Sequence, residues 1–415
     1  MKPIKIKLSN VDYNLPDGAV YTAPIALGSQ AYPANVLLDT GSSTFAIYSK
    51  EGFYDPGTDK DAVTSDIALT PFFSETQFYF AAAIQTSIEF QGTWQGQPGK
   101  QQFNNFYTAA AYYSCGMQWG TGKGQGIMGL AYPGNASFEL NTAYKMKENT
   151  WENRPKIEKT LTLQQARKIG IEIESGIVTN LETPVEQMMH EGCPGKFAFY
   201  TLRSTIREDG GYSTPADDPQ NQGWFVLGGG EECADLYTGD FSTVYITQDT
   251  HYTVTLIGVD VAASDSKTPI SPANKDNAKP SDYAVDTGTS FLGFQPDLVN
   301  ELKSLLTPYV GVKKTAMLFN NLKPVPASEV AIEEWPDIIL YVVGDGNPNG
   351  LTPLRMKPQT YWQLNGNMAA PRIIEDGSIL GLPLLNNYFT IFEPMVKNTV
   401  TEDARGVIKF AKIKQ

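Results

Sequence analysis

The chain has 415 residues, of which 41% are hydrophobic and 19% are charged, and its formal net charge is −13. This length exceeds what one hydrophobic core comfortably supports, so we expect two domains or lobes of about 150–250 residues each. The acidic balance argues against nucleic acid or an anionic membrane surface as a partner, because both attract clusters of Lys and Arg.

The N-terminal residues 1–8 alternate charged and apolar side chains, a pattern typical of a β-strand rather than of a signal peptide. No apolar run approaches the ~20 residues needed to cross a bilayer. We therefore expect a soluble protein without a membrane partner.

Short β-rich runs separated by Gly, Asn, Asp and Pro dominate the rest of the chain, which predicts a mostly β fold. Three stretches have helical character, and two polar, proline-bearing stretches read as surface loops. We place the lobe boundary near residues 200–225 and predict an N-terminal lobe over 1–215 and a C-terminal lobe over 216–415. The predicted strands include 36–38, 225–227, 243–246, 252–256, 338–343 and 388–392, the helices 156–171, 184–191 and 296–306, and the loops 208–223 and 263–281.

Cysteine and histidine are scarce. Cys115, Cys193 and Cys233 are far apart and odd in number, which indicates neither a disulfide framework nor a zinc site. We expect His190 and His251 to be surface or hydrogen-bonded core residues rather than catalytic groups. The sequence therefore predicts no metal and no cofactor.

An internal repeat is the most informative feature of the sequence. Val36-Leu37-Leu38 leads into Asp39-Thr40-Gly41-Ser42-Ser43, and Tyr283-Ala284-Val285 leads into Asp286-Thr287-Gly288-Thr289-Ser290. Each copy is followed by two apolar residues and a glycine, at Ile127-Met128-Gly129 and Ile379-Leu380-Gly381. The separations, 129 − 39 = 90 and 381 − 286 = 95 residues, are similar, so two lobes built on one plan explain the pattern.

The repeated motif places a carboxylate where a buried strand ends, and the following glycine permits a tight turn. Nearby hydroxyls at Thr40, Ser42, Thr287 and Thr289 are available to orient the two acids. If Asp39 and Asp286 face each other, one keeps its proton and the pair supplies an acid and a base together. Such a pair can activate a water without a metal or a covalent intermediate.

The chain resembles the pepsin-like, two-lobed aspartic proteases, in which D-T-G-S/T-S occurs once per lobe. The resemblance spans nearly the whole chain in order and implies an aspartic endopeptidase acting on peptide or protein substrates, sensitive to pepstatin and monomeric, with Asp39 and Asp286 as the catalytic residues. It also implies a bilobal fold of two β-barrel-like lobes related by a pseudo-twofold axis, with the active site in the cleft. Further matching segments are residues 126–133, 183–185, 227–229, 237–239, 336–338 and 388–392.

The flap of this family departs from the usual pattern here. Family members close a hairpin over the substrate, with a tyrosine before a glycine-rich tip and a supporting tryptophan a few residues after the first D-T-G. Here the position seven after Asp39 is Ala46, and the matching region, residues 76–87, contains no glycine. Tyr79 is the candidate flap tyrosine; alternatively it is a strand residue, with Phe78 and Phe80 on the other face.

Two further departures concern the N-terminus and an insertion. Secreted family members are made with a signal peptide and an inhibitory prosegment, and only 38 residues precede Asp39 here. We expect a cytoplasmic enzyme, similar to the bacterial pepsin homologues, if Met1 is the natural start, and otherwise the mature form of a secreted one. The insertion, about residues 134–179, is either a lid or partner surface or a solvated decoration.

Two rival functions remain open at this point. The first is a catalytically weak or silent pepsin-fold protein that binds or inhibits a partner, although both D-T-G-S/T-S loops are intact. The second is a glycosidase, in which two carboxylates lie about 5 Å or more apart across a sugar bond; none of the flanking motifs favours it.

Overall fold

The computed structural model describes residues 1–15, 18–50, 52–70, 77–116, 119, 124–132, 143–145, 151–157, 160–179, 181–248, 251–263, 280–346, 350–394 and 405–414. The fold is mostly β, with 47% strand and 18% helix, which confirms that part of the sequence prediction. The chain divides into two compact units. Unit 1 comprises Met1–Lys7 and Thr22–Gly195, and unit 2 comprises Leu8–Tyr21 and Lys196–Gln415.

This division differs from the boundary expected from the sequence. The chain passes from unit 1 to unit 2 at Gly195 and Lys196, before the predicted 215/216 junction. The polar stretch that led us to place a boundary there forms 3-10 turns at Pro215–Asp217 and Pro219–Asn221 within unit 2. The segment Leu8–Tyr21 also belongs to unit 2, and no sequence pattern predicted that.

Unit 1 is built around a mixed sheet. Its strand order is β10-β9-β5-β6-β7-β4-β8-β3-β2, and the start of β1 pairs with the end of β6. The elements, including those that cross into unit 2, are β1 Ile4–Leu15, β2 Gly18–Leu27, β3 Tyr32–Asp39, β4 Phe45–Tyr48, β5 Val63–Leu69, β6 Phe78–Trp94, β7 Gln97–Cys115, β8 Gly126–Gly129, β9 Ala143–Lys145, α1 Leu163–Glu174, β10 Ile177–Thr179 and α2 Pro184–His190.

The hairpin of β6 and β7 forms the centre of unit 1. Gln95 and Gly96 connect the two strands and both have positive φ, at 49° and 76°, as the tightest hairpin turns require. Residues 81–83 and 109–111 are fully buried alanines paired across the hairpin. Because β4 pairs with β7 at these same small residues, the hairpin packs tightly beside the strand that follows Asp39.

Part of the predicted insertion packs into this core. Helix α1 begins after Thr162, whose hydroxyl accepts from the amide of Gln165 while the Gln165 side chain accepts from the amide of Thr162. The helix buries Ala166 and Ile173 in the cluster that contains Phe78 and Phe80. This segment is therefore a packed part of unit 1 rather than only a solvated decoration, and the helix begins later than the predicted residue 156.

Unit 2 contains three groups of strands. The first has the order β12-β11-β24-β25-β13, the second β19-β18-β14-β15-β23-β16-β22, and the third β17-β21-β20. The elements are β11 Phe197–Tyr200, β12 Gln222–Leu227, β13 Tyr237–Tyr245, β14 Thr253–Ala262, β15 Ser281–Val285, β16 Leu292–Phe294, α3 Pro296–Leu318, β17 Val325–Pro326, α4 Ala327–Val330, β18 Asp337–Val343, β19 Leu351–Met356, α5 Pro358–Tyr361, β20 Trp362–Asn365, β21 Met368–Pro371, β22 Ile373–Glu375, β23 Ile379–Leu380, α6 Leu382–Leu385, β24 Tyr388–Pro394 and β25 Gly406–Ile413, with a 3-10 turn at Ile332–Glu334.

The predicted strands that fall in unit 2 are confirmed to within one residue, and helix α3 is longer than predicted. It starts at Pro296, as the sequence indicated, but continues past Leu306 to Leu318. Gly311, at φ 78° and ψ 162°, interrupts the helical backbone and divides α3 into two segments. Of the stretch 263–281, which we read as a loop, residues 264–279 lie outside the described part of the chain.

Candidate active site

Both Asp-Thr-Gly loops follow the end of a buried strand. Asp39 is the last residue of β3 and Asp286 comes directly after β15. Asp39 is 9% exposed, whereas Asp286 is half-buried. Thr40 and Thr287, the next residues, are both buried. Each carboxylate is therefore fixed to the end of a core strand.

In unit 1 strand β8 lies between β3, which ends at Asp39, and β4, which follows the Asp loop. Strand β8 runs parallel to β3, with Leu38 opposite Met128, and antiparallel to β4, with Phe45 opposite Met128. The amide of Leu130 also donates to the carbonyl of Asp39 at 2.6 Å. The apolar-apolar-glycine triplet noticed in the sequence therefore lies beneath the first loop.

Unit 2 repeats this arrangement around Asp286. Strand β23 is parallel to β15, with Val285 opposite Leu380, and antiparallel to β16, with Leu292 opposite Leu380. In both units the second apolar residue of the triplet has two partners. On the parallel strand it lies opposite the residue before the Asp, and on the antiparallel strand it lies opposite the sixth residue after the Asp. The internal repeat of the sequence is thus an internal repeat of local structure.

The glycine of each triplet contacts the backbone of its loop at the same position. A Cβ atom on Gly129 would lie 2.4 Å from the carbonyl oxygen of Ser42, and one on Gly381 would lie 2.4 Å from that of Thr289. Ser42 and Thr289 are each three residues after the Asp of their loop. Only glycine permits this approach, which explains why both triplets end in that residue.

Each carboxylate accepts a hydrogen bond from its own loop. The amide of Gly41 donates to Asp39 Oδ1 at 2.8 Å, and the amide of Gly288 donates to Asp286 Oδ1 at 2.7 Å. These donors fix the orientation of the carboxyl groups. The two loops therefore hold their acids in the same way through the glycine amide.

The loops differ at the third residue after the Asp. Thr289 Oγ1 donates to Asp286 Oδ2 at 2.7 Å. Ser42 Oγ is buried and makes no hydrogen bond within the described residues. The sequence predicted the same role for both hydroxyls, and the structure brings only Thr289 to its acid.

His251 is a neighbour of Asp286 that the sequence did not identify as part of the site. It precedes β14, whose Thr253 pairs with Ala284 just before the Asp loop. Burial lowers the pKa of His251, and the negative charge of Asp286 opposes that effect. The other histidine, His190, lies on the surface beside Glu182, as expected. The two histidines differ because strand pairing brings the segment of His251 next to the Asp286 loop, and no local sequence motif encodes that pairing.

Tyr79, the candidate flap tyrosine, lies within β6. Its side chain is fully buried, and its ring packs against Trp119 with 5.3 Å between centroids. Phe78 and Phe80 contact each other and Tyr113 instead, so the aromatic residues alternate between faces. This is the strand placement that we considered as an alternative; a flap role for Tyr79 stays a prediction.

Strands β5 and β6 form the hairpin whose connection includes the start of the predicted flap region. Leu69 pairs with Ala81 and Ala68 with Ala82, so residues 70–77 connect the two strands. Residues 71–76 lie outside the described part of the chain, and Thr76, the first residue of the predicted flap region, is one of them. Ala46 is buried in β4 opposite Ile127.

Within the described ranges, His, Cys, Asp and Glu side chains form no group of three that could hold a metal ion. Among the same residues, no helix combines the length and apolar character needed to span a bilayer.

Comparison with known proteins adds no family assignment. No protein-family model matches the chain, and no curated protein matches it.

Proposed function

We propose that this protein is an aspartic endopeptidase with two pepsin-like lobes, in which Asp39 and Asp286 act together on one water molecule. The observation that carries the proposal is the duplicated local structure. In each unit an Asp lies at the end of a core strand, and its carboxylate accepts a hydrogen bond from the amide of the glycine two residues later. A strand that carries the apolar-apolar-glycine triplet runs parallel to that core strand. Two copies of one acid-bearing loop fit a reaction that needs two carboxylates.

The proposed mechanism divides the chemistry between the two acids. One carboxylate is ionised and takes a proton from the water, while the other is protonated and donates a hydrogen bond to the peptide carbonyl. The water oxygen attacks the carbonyl carbon to give a tetrahedral species. The carboxyl group that took the water proton then passes a proton to the leaving nitrogen, and the C–N bond breaks. Because this mechanism needs one ionised and one protonated carboxyl group, we expect an activity optimum on the acidic side of neutral.

The loop contacts favour an enzyme over a silent binding protein. Amide donors at 2.7 and 2.8 Å hold both carboxylates in a fixed orientation. Such contacts lock the geometry that general acid–base chemistry requires. We propose a peptide or protein as the substrate.

The test is cleavage of an unfolded protein substrate between about pH 3 and pH 7, with and without pepstatin, a mimic of the tetrahedral species. Asp39→Asn and Asp286→Asn are each expected to lower the rate by about 10³-fold or more. Asp282→Asn is the matched control, because Asp282 is an exposed acid of β15 that bonds Gln248 and Thr255.

The outcomes separate the candidate functions. Cleavage that is lost with pepstatin and in both active-site variants, but kept in Asp282→Asn, supports the proposal. Full activity in Asp39→Asn or Asp286→Asn contradicts it. A wild-type protein that cleaves nothing across this pH range but binds pepstatin indicates the silent binding protein.

A further inference from the structure

Arg372 is a fully buried cation beside the second Asp loop. It lies between β21 and β22, and its side chain is 0% exposed. Its amide donates to the carbonyl of Tyr361 at 2.9 Å, and its carbonyl accepts the amide of Leu292 at 2.8 Å. The backbone of Arg372 is therefore fixed on both sides before its side chain makes any contact.

The guanidinium group binds the last residue of the loop at two points. Nε donates to the carbonyl oxygen of Ser290 at 3.0 Å, and Nη2 donates to Ser290 Oγ at 3.2 Å. Ser290 is itself buried. A planar guanidinium holds two acceptors in a fixed relation, which the single ammonium of lysine does not reproduce.

The burial of the Arg372 charge is unfavourable by itself. Removing a guanidinium from water carries a desolvation penalty that its hydrogen bonds must offset. An apolar residue would fill the same volume without that cost. The strand register gives the equivalent position in unit 1, because β4 pairs with β7 as β16 pairs with β22. That position is Tyr107, so only the second unit has a cation there.

The contacts connect Arg372 to the carboxylate through consecutive residues. Ser290 follows Thr289, whose hydroxyl donates to Asp286 Oδ2 and whose carbonyl accepts the amide of Leu382 at 2.8 Å. Holding Ser290 at both its carbonyl and its hydroxyl limits rotation of the loop backbone next to Thr289. That backbone sets the direction in which the Thr289 hydroxyl points.

We propose that Arg372 is a positioning residue for Asp286: by clamping Ser290, it keeps the hydroxyl of Thr289 and the amide of Gly288 directed at the carboxylate. This inference rests on the proposed function, since it assigns Arg372 to the same site. Arg372 touches neither substrate nor reacting atoms in this role, and acts through the loop.

The test compares Arg372→Met and Arg372→Lys with the wild-type protein and with Arg355→Met. Arg355 is a matched control because it is a partly buried arginine of the same unit, paired with Asp337 at 3.0 Å and outside the Asp loop. Two readouts are measured after thermal midpoints confirm that each variant is folded. They are the kcat and KM for an unfolded protein substrate, and the hydrogen exchange of the amides in residues 286–290.

The proposal predicts a kcat lower by about 10-fold or more in Arg372→Met, with KM within about twofold, because ground-state binding is not what the clamp controls. Exchange at the Gly288 amide becomes about 10-fold faster. Arg372→Lys recovers only part of both losses. In Arg355→Met both quantities stay at the wild-type values, even if the thermal midpoint falls.

Two results would overturn the inference. One is a change in kcat and exchange in Arg372→Met that does not exceed that in Arg355→Met. The other is complete recovery of both readouts by lysine. If Arg372→Met does not fold, Ser290→Ala and Arg372→Lys carry the test, with losses of about threefold expected. A wild-type protein without cleavage would refute the proposed function alone, and the exchange data would still decide the role of Arg372.

Discussion

Thr289 and Ser42 occupy the same position in the two loops but make different contacts. The Thr289 hydroxyl donates to Asp286, whereas the Ser42 hydroxyl makes no hydrogen bond within the described residues. Hydrogen bonds to charged groups contribute about 1.5–3 kcal/mol. The two hydroxyls should therefore differ in importance, although their sequence positions are equivalent.

We predict that Thr289→Val lowers kcat about 10-fold or more, because the Asp286 carboxylate loses a donor and an orienting contact. Ser42→Ala should change kcat by less than about threefold, since no bond to an acceptor is removed. Steady-state kinetics at the optimum pH measure both. Equal losses in the two variants would contradict the asymmetry.

His251 gives a second prediction at the residue scale, and it concerns stability. Burial lowers its pKa below the ordinary 6.5, against the effect of the nearby Asp286 charge. As the pH falls through 6.5, the unfolded chain takes up the proton more readily than the folded one, so folding stability decreases.

His251→Gln should remove this contribution, because glutamine does not titrate. We expect the unfolding free energy of the variant to fall less between neutral pH and pH 5 than that of the wild type, as measured by urea unfolding at several pH values. The same dependence of the unfolding free energy on pH in both proteins would rule the effect out.

At the scale of elements, strands β8 and β23 are what make the two loops alike. Each packs its glycine against the backbone of the loop above it, so the strand and the loop cannot move independently. The loop geometry is therefore a property of three strands together rather than of five motif residues.

We predict that Gly129→Ala and Gly381→Ala each destabilise the protein by about 3 kcal/mol, because the added methyl group meets backbone oxygens that cannot rotate away. Activity should fall together with stability. Gly258→Ala, in β14, is the control: a Cβ there meets nothing within 4 Å, so a change within about 0.5 kcal/mol is expected. Chemical denaturation measures all three, and equal costs would contradict the packing argument.

The sequence predicted the elements around the site well for a physical reason. Alternating or continuous apolar residues ending in Asp-Thr-Gly specify a buried strand and its turn locally, and β3 and β15 follow that pattern. The start of α1 was also readable, since Thr162 and Gln165 form a capping box, but the prediction began the helix at residue 156. The end of α3 was not predicted, because Pro308 within it normally indicates a helix end.

Residues that join the site from distant segments could not be predicted in this way. Arg372 is 82 residues from Ser290, and no spacing rule relates them. His251 approaches Asp286 through the pairing of β14 with β15. The place of Tyr79 depends on the register of the long β6–β7 hairpin, which is set by the whole strand rather than by a motif.

At the scale of the whole molecule, the most consequential feature is that unit 2 includes the early segment Leu8–Tyr21. Tyr21 is 2% exposed, and its hydroxyl accepts the amides of Leu202 and Arg203 at 3.0 Å each. Asn10 donates to the carbonyl of Arg203, and β1 lies beside β12. Unit 2 is therefore incomplete without residues that precede the main segment of unit 1, Thr22–Gly195.

We predict that residues 196–415 expressed alone lack a cooperative thermal transition. The same fragment with residues 8–21 fused to it should gain one, because Tyr21 and the paired strand then fill their places. Calorimetry and near-ultraviolet circular dichroism measure the difference. A fused segment in which Tyr21 is replaced by Ala is the control and should restore less. Identical transitions with and without the segment would contradict the assignment.

Residues 8–21 are synthesised well before the rest of unit 2, which begins at Lys196. At ~5–20 residues per second, roughly 10 to 35 seconds pass between the emergence of Tyr21 and that of Lys196 from the ribosome. During that interval β1 can pair with β2, but its other neighbour, β12, has not yet been made. A pause or truncation in translation before β12 therefore leaves one edge of β1 unpaired and exposed.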